Sequence, residues 1–237
     1  MSGDLTGKGI LITGAFGVLG SATALAALER GARVALMDQA ARPPAGLVDH
    51  LGPDAVVIPG VDLVVTEQAE KAVEAAAQRL GRLDVLLNIA GAFRWQTVAD
   101  GNPATWDLLF AINLKTALNS SRAALPYLRK SEHGRIINIG ANAAMKAGAG
   151  MGPYAASKAG VHRLTESLAE ELKSAGKITV NAVLPSIIDT PANRAEMPTA
   201  DFSTWVTPRA LADIILFLAS PQSQAITGAL VPVIGRV

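Results

Sequence analysis

Seven short apolar runs punctuate the chain, at residues 10–13, 33–37, 55–58, 85–88, 135–139, 179–184 and 229–234. Each is rich in Val, Ile and Leu and lacks an alternating polar face, which predicts strands buried on both sides. Between them, residues 20–30, 67–80, 106–129, 154–174 and 208–219 repeat apolar side chains every three or four positions, the spacing of helices with one buried face. This alternation predicts an α/β fold: a doubly wound parallel sheet of about seven strands, with right-handed crossovers and helices on both faces. Ligands bind such sheets beyond the carboxyl ends of the strands, so the residues just after each run are the ones to inspect. Two segments fit the alternation poorly. Pro43 and Pro44 leave room for only a short helix within 42–52, and residues 185–207 read as an irregular stretch carrying Met197, Phe202 and Trp205, either a lid over a site or a surface loop.

At 237 residues the chain is within reach of one hydrophobic core, so a single domain over 1–237 is expected. Half of the residues are apolar (50%) and only 17% are charged, which argues against disorder. Lys plus Arg (21) nearly cancels Asp plus Glu (20), leaving a formal charge of +1 and no electrostatic footprint for nucleic acid or an anionic membrane. The longest apolar run, 214–219, is too short to span a bilayer, and the start of the chain lacks a signal-peptide pattern, so a cytoplasmic protein is expected. The absence of cysteine removes disulfides, thiolate nucleophiles and Cys-based metal sites. His50, His133 and His162 are too dispersed to make a spaced ligand pair, and no metal is expected. Chemistry must then come from oxygen, nitrogen or a cofactor.

After the first run comes Thr13-Gly14-Ala15-Phe16-Gly17-Val18-Leu19-Gly20, leading into a helix. Glycines at 14, 17 and 20 permit a tight turn, close approach of backbone to a pyrophosphate and close packing of helix on strand, while the helix start offers unpaired N–H groups to negative charge. Asp38 ends the second run, 24 residues after Gly14, where a carboxylate accepts hydrogen bonds from ribose hydroxyls and repels a 2′-phosphate. No basic residue lies inside the glycine turn and the nearest one after the strand is Arg42, so NAD(H) is expected over NADP(H). Tyr154 and Lys158, four apart at the start of a helix, project from one face. An ammonium beside a phenol favours the phenolate, so the pair is a candidate proton-transfer device, or else an ordinary surface pair.

In combination these features resemble the short-chain dehydrogenase/reductase family over nearly the whole chain, with its Rossmann-like sheet. The residues that carry the resemblance are the glycine turn, Asn88-Ile89-Ala90-Gly91, Asn113 in a long helix, Tyr154-x-x-x-Lys158, and 185–190 after the sixth run. The resemblance implies Gly14, Gly17, Val18 and Leu19 at the pyrophosphate, Asp62 and Leu63 beside the adenine, and Asn88, Ala90 and Gly91 along the cofactor. It further implies Asn113 holding a relay water, Tyr154 as acid or base, Lys158 on the nicotinamide ribose, and Pro185, Ile188 and Thr190 at the carboxamide end. A small-molecule substrate and a homo-oligomer, dimer or tetramer, built through the long central helices are implied with it.

Three positions depart from the family pattern. Val18 stands where the common form has its middle glycine, and Ser186 replaces the glycine that usually follows the proline. The catalytic serine is expected thirteen residues before the tyrosine, and that position is Ala141; Asn142 is a possible substitute donor. Residues 140–205 resemble more narrowly the dihydropteridine reductases of the family, which also carry alanine there and use NADH. That resemblance favours hydride transfer from NADH to a quinonoid dihydropterin-like heterocycle, in which less oxyanion charge develops; Phe93, Trp95 and Trp205 either face the cleft and sandwich a flat ring or pack in the core or a lid. The alternatives are a carbonyl or 3-oxoacyl reductase or secondary-alcohol dehydrogenase, and an NAD(H)-binding regulator without turnover.

Overall fold

The computed structural model describes residues 4–237. Strands β1 (Gly9–Thr13), β2 (Arg33–Met37), β3 (Val56–Ile58), β4 (Val85–Asn88), β5 (Gly134–Ile139), β6 (Ile178–Pro185) and β7 (Leu230–Val233) form one parallel sheet in the order β3-β2-β1-β4-β5-β6-β7. Helices α1 (Val18–Glu29), α2 (Ala45–Val48) and α8 (Pro208–Ala219) bury Leu19, Ala24, Leu47, Leu211 and Ile215 on one face. Helices α3 (Thr66–Leu80), α5 (Thr116–Leu128) and α6 (Gly152–Leu172) bury Val73, Ala76, Leu128, Leu168 and Leu172 on the other. Apolar burial on both faces explains the uniformly apolar strand runs. β7 is the exception: it closes the edge of the sheet, with Leu230, Val231 and Val233 partly covered and Pro232 exposed, so it is not buried on both faces as expected.

The strand order reverses between β1 and β4, which opens a crevice at their carboxyl ends. The helix expected over 106–129 is built in three pieces: α4 (Ala104–Leu109), a π-helical turn (Phe110–Lys115) and α5. A π turn admits one extra residue without ending the helix, so the apolar spacing on either side still reads as one helix. The stretch 185–207 is not irregular throughout. Pro191 starts helix α7 (Pro191–Glu196), capped by the Thr190 hydroxyl, which accepts the Asn193 N–H, and Ile188 bridges to Val206. Among the described residues no helix is long and apolar enough to cross a membrane.

Candidate active site

A cleft of about 1460 Å³ runs along the crevice from the β2 end to the segment after β6. Its first wall is the glycine turn. Gly14 has φ +63°, and a Cβ there would lie 2.7 Å from the backbone of Ala90. A Cβ on Gly20 would strike the carbonyl oxygen of Gly14, so the start of α1 closes onto the turn only because residue 20 lacks a side chain. Gly17 meets no such obstacle, yet it caps α1 without a side-chain acceptor, and the N–H groups of Val18 and Leu19 find no partner among the described residues. These donors line the cleft at the positive end of the helix, an arrangement that receives phosphate.

At the end of β2, Asp38 accepts the N–H of Phe16 through one carboxylate oxygen and that of Ala40 through the other, both at 2.9 Å. Each oxygen keeps a lone pair, and the residue lines the cleft. Asp62 and Leu63 follow β3 and line the same end; the side chain of Asp62 accepts the Val64 N–H, and Asn119 donates to the carbonyl of Leu63. Ala90, Gly91, Pro185, Ile188 and Thr190 line the other half. The glycine cradle and the open amides of α1 together fit an adenine dinucleotide.

Asn88 does not line the cleft. Its amide is buried, donates to Asn138 Oδ1 at 2.8 Å and to Ser121 Oγ at 3.0 Å, and accepts from Ser120 Oγ at 2.7 Å. Asn138 in turn donates to Thr165, so the network ties β4, β5, α5 and α6 together. Asn88 therefore braces the crevice rather than running along it.

Tyr154 and Lys158 rise from the first turns of α6 into the cleft. Phe93 packs edge-on against the Tyr154 ring, with centroids 5.0 Å apart. Lys158 donates to the carbonyl of Ile139 at 2.7 Å and makes no hydrogen bond to the phenol. Burial pushes the Lys158 ammonium down to about 8 and the Tyr154 phenol up to about 12. The phenol thus lies above its ordinary value rather than below it as expected beside an ammonium, because loss of water disfavours the phenolate. Asn113, in the π turn, is 1% exposed and outside the cleft lining. Its amide accepts the Ala92 N–H and donates to the Ala92 carbonyl and to Ser157 Oγ, so its side chain is engaged by its neighbours rather than presented to the cleft. Gly91 makes this packing possible: a Cβ there would lie 2.9 Å from Asn113 Oδ1 and 3.2 Å from Lys158 Nζ.

Ala141 lines the cleft with a buried methyl group and supplies no hydroxyl. Asn142 beside it is exposed in the cleft, and its amide makes no hydrogen bond among the described residues. Ser186 is tied to the end of the chain, donating to the Ile234 carbonyl at 2.7 Å. Phe93 and Trp95 line the cleft, whereas Trp205 does not: it is buried against Phe202, with ring centroids 4.8 Å apart. Two contributors have no assigned role in the sequence reading. Thr13 accepts the N–H groups of Ile89 and Ala90 and thereby holds the β4 end against the glycine turn. His162 accepts the N–H of Ala141, and its place two turns beyond Tyr154 and one beyond Lys158 is the signal that could have found it.

Fold and site define a dinucleotide-binding α/β protein with a Tyr-Lys pair at the far end of the cofactor crevice. Residues 8–201 match the model of the short chain dehydrogenase family, and the chain belongs to that family. It is 34% identical to the 3-oxoacyl-(acyl-carrier-protein) reductase FabG of Thermotoga maritima over 98% of each chain. Among solved structures it is similar to a 3-ketoacyl-(acyl-carrier-protein) reductase of Brucella melitensis complexed with NADH, with a TM-score of 0.86, 28% identity and 98% of each chain covered. A carveol dehydrogenase of Mycobacterium avium in complex with NAD gives a TM-score of 0.85 at 26% identity, over 99% of this chain and 98% of that one. The narrower resemblance of residues 140–205 to pterin reductases gains no support from these relatives.

Proposed function

We propose that residues 1–237 form a single NAD(H)-dependent oxidoreductase domain that reduces a small carbonyl compound of the ketone or 3-oxoacyl type, with Tyr154 as proton donor. The observation that carries this is the placement of Tyr154 and Lys158, four apart at the start of α6 and both lining the cleft that the glycine turn opens. When bound, the nicotinamide supplies the hydride. A phenol pushed up to about 12 keeps its proton at neutral pH, and it gives that proton up only to a stronger base, such as the alkoxide that forms as a carbonyl is reduced. Lys158 stabilises the resulting phenolate and binds the nicotinamide ribose, while the main-chain carbonyl of Asn113 holds the water that returns the proton. Asn142, with its unpaired amide, replaces the missing serine as donor to the substrate oxygen. Asp38 accepts from the adenosine ribose and disfavours NADPH. The pyrophosphate is met by Val18 and Leu19, the adenine by Asp62 and Leu63, and the carboxamide end by Pro185, Ile188 and Thr190.

The carbonyl reading is favoured by the relatives, which include 3-oxoacyl reductases. One observation favours a second reading, a conjugated C=N acceptor of the dihydropterin type: Ala141 offers no hydroxyl, and a C=N acceptor needs less oxyanion stabilisation than a ketone. NADH oxidation measured with acetoacetyl-CoA, simple ketones and a quinonoid dihydropterin separates them. Turnover of the first two supports the carbonyl reading, turnover of the pterin alone supports the second, and tight NADH binding with no acceptor reduced contradicts both. We also propose a homo-oligomer through the central helices, supported by the exposed apolar side chains of Phe110 and Leu118; sedimentation analysis tests it.

A further inference from the structure

The cleft wall that lacks the serine is held from behind by a histidine. His162 is 2% exposed, and its Nε2 accepts the N–H of Ala141 at 3.3 Å. The imidazole reaches that position only because residue 140 is glycine: a Cβ there would lie 2.5 Å from Nε2 and 2.7 Å from Cδ2. Ala141 is extended, and with its N–H turned inward to His162 its methyl and the following Asn142 line the cleft. Accepting through Nε2 fixes the neutral tautomer with the proton on Nδ1. Burial, then the charges of Arg163 and Lys158, hold the imidazolium below its ordinary range, which keeps Nε2 an acceptor at neutral pH. Gly140, Ala141, Ala144 and Met145, which face the ring from outside α6, carry no titratable group.

We propose that His162 is a positioning residue: its neutral imidazole, seated in the space left by Gly140, anchors the Ala141 amide and so sets the wall from which Asn142 meets the substrate. The effect on turnover rests on the reductase activity proposed above, whereas the anchoring itself does not. A protonated imidazole would turn an N–H toward the Ala141 N–H and release that wall. The same helix face thus carries Tyr154, Lys158 and His162 at successive turns, the first two lining the cleft and the third behind it.

The test compares wild type, His162→Leu and His162→Gln as full chains. The Ala141 amide protection factor is read by NMR without cofactor or substrate, and kcat and KM are measured with NADH and acetoacetyl-CoA. Leu has no acceptor and is expected to lower Ala141 protection and kcat about fivefold to tenfold, the weight of one neutral hydrogen bond, with NADH affinity within about twofold of wild type. Gln offers an uncharged acceptor, so it restores both quantities. The proposal is overturned if Leu leaves Ala141 protection unchanged, if Gln behaves as Leu does, or if protection falls equally across β5 and β6. Loss of Ala141 protection in Leu together with no turnover by wild type supports the anchoring and overturns only the assigned activity.

Discussion

Lys158 reaches the main-chain carbonyl of Ile139 across 2.7 Å, and this contact, rather than one to Tyr154, fixes the ammonium at the end of β5. The carbonyl holds the charge in a place where water no longer does. Burial lowers the Lys158 ammonium to about 8, against 10.5 for the free side chain.

That shift makes Lys158 a pH-dependent burden on stability. Below pH 8 both folded and unfolded chains carry the proton and the full cost of burying the charge is felt; between 8 and 10.5 the folded protein releases it first and the cost fades. Lys158→Met is therefore expected to be more stable than wild type at pH 7, by on the order of 2 kcal/mol once the lost hydrogen bond is deducted. The advantage should shrink toward pH 10. Tyr154 acts in the opposite sense at higher pH, since the unfolded phenol ionises near 10 and the folded one at about 12. Urea unfolding of the cofactor-free protein across this range checks both, and a pH-independent gap contradicts the assignment for Lys158.

Gly91→Ala places a methyl group 2.9 Å from Asn113 Oδ1 and 3.2 Å from Lys158 Nζ. Both groups are anchored, so the strain is expected to cost about 1 to 3 kcal/mol of stability and to weaken cofactor binding together with turnover. Thermal unfolding and NADH titration of the variant measure the two effects.

Asp38→Ala removes the carboxylate that accepts the Phe16 and Ala40 amides and that lines the β2 end of the cleft. The ratio of NADPH to NADH efficiency is expected to rise by about tenfold or more, from the loss of one like-charge repulsion and one acceptor. An unaltered ratio removes Asp38 from cofactor selection.

Far from the cleft, at the start of β5, Arg135 is buried; among the described residues its Nε and Nη2 are unpaired and only Nη1 finds a partner, the carbonyl of Gly134. Burial lowers its affinity for the proton, with no carboxylate among the described residues to compensate. Arg135→Met keeps the volume and removes the charge, and is expected to stabilise the fold by about 1 to 4 kcal/mol. A loss of stability on chemical denaturation would mean that the guanidinium has a partner in solution.

The sheet was legible because its strands are uniformly apolar: β2 and β4 begin and end at the residues the runs predict. The glycine turn was legible for a local reason, since Gly14 and Gly20 are required by contacts within a few residues and with the adjoining strand. What stayed hidden depends on distant neighbours. Asn88 follows the same motif as Ala90 and Gly91, yet its direction is decided by Asn138 and Ser120 on other elements. The sign of the Tyr154 shift is set by how far the folded chain strips water from the phenol, which no spacing reveals. Trp205 is drawn into the interior by Phe202, and the one-residue excess at Phe110–Lys115 leaves the apolar period almost untouched. His162 escaped notice because a lone histidine has meaning only beside Gly140.

The central claim is that Tyr154 gives a proton to a substrate reduced in this cleft. The direct measurement is kcat/KM for the best acceptor with wild type and with Tyr154→Phe, alongside the NADH dissociation constant of each. Tyr154→Phe is expected to lose about 100- to 10,000-fold in kcat/KM with NADH binding unchanged. Equal turnover by the two proteins would contradict it.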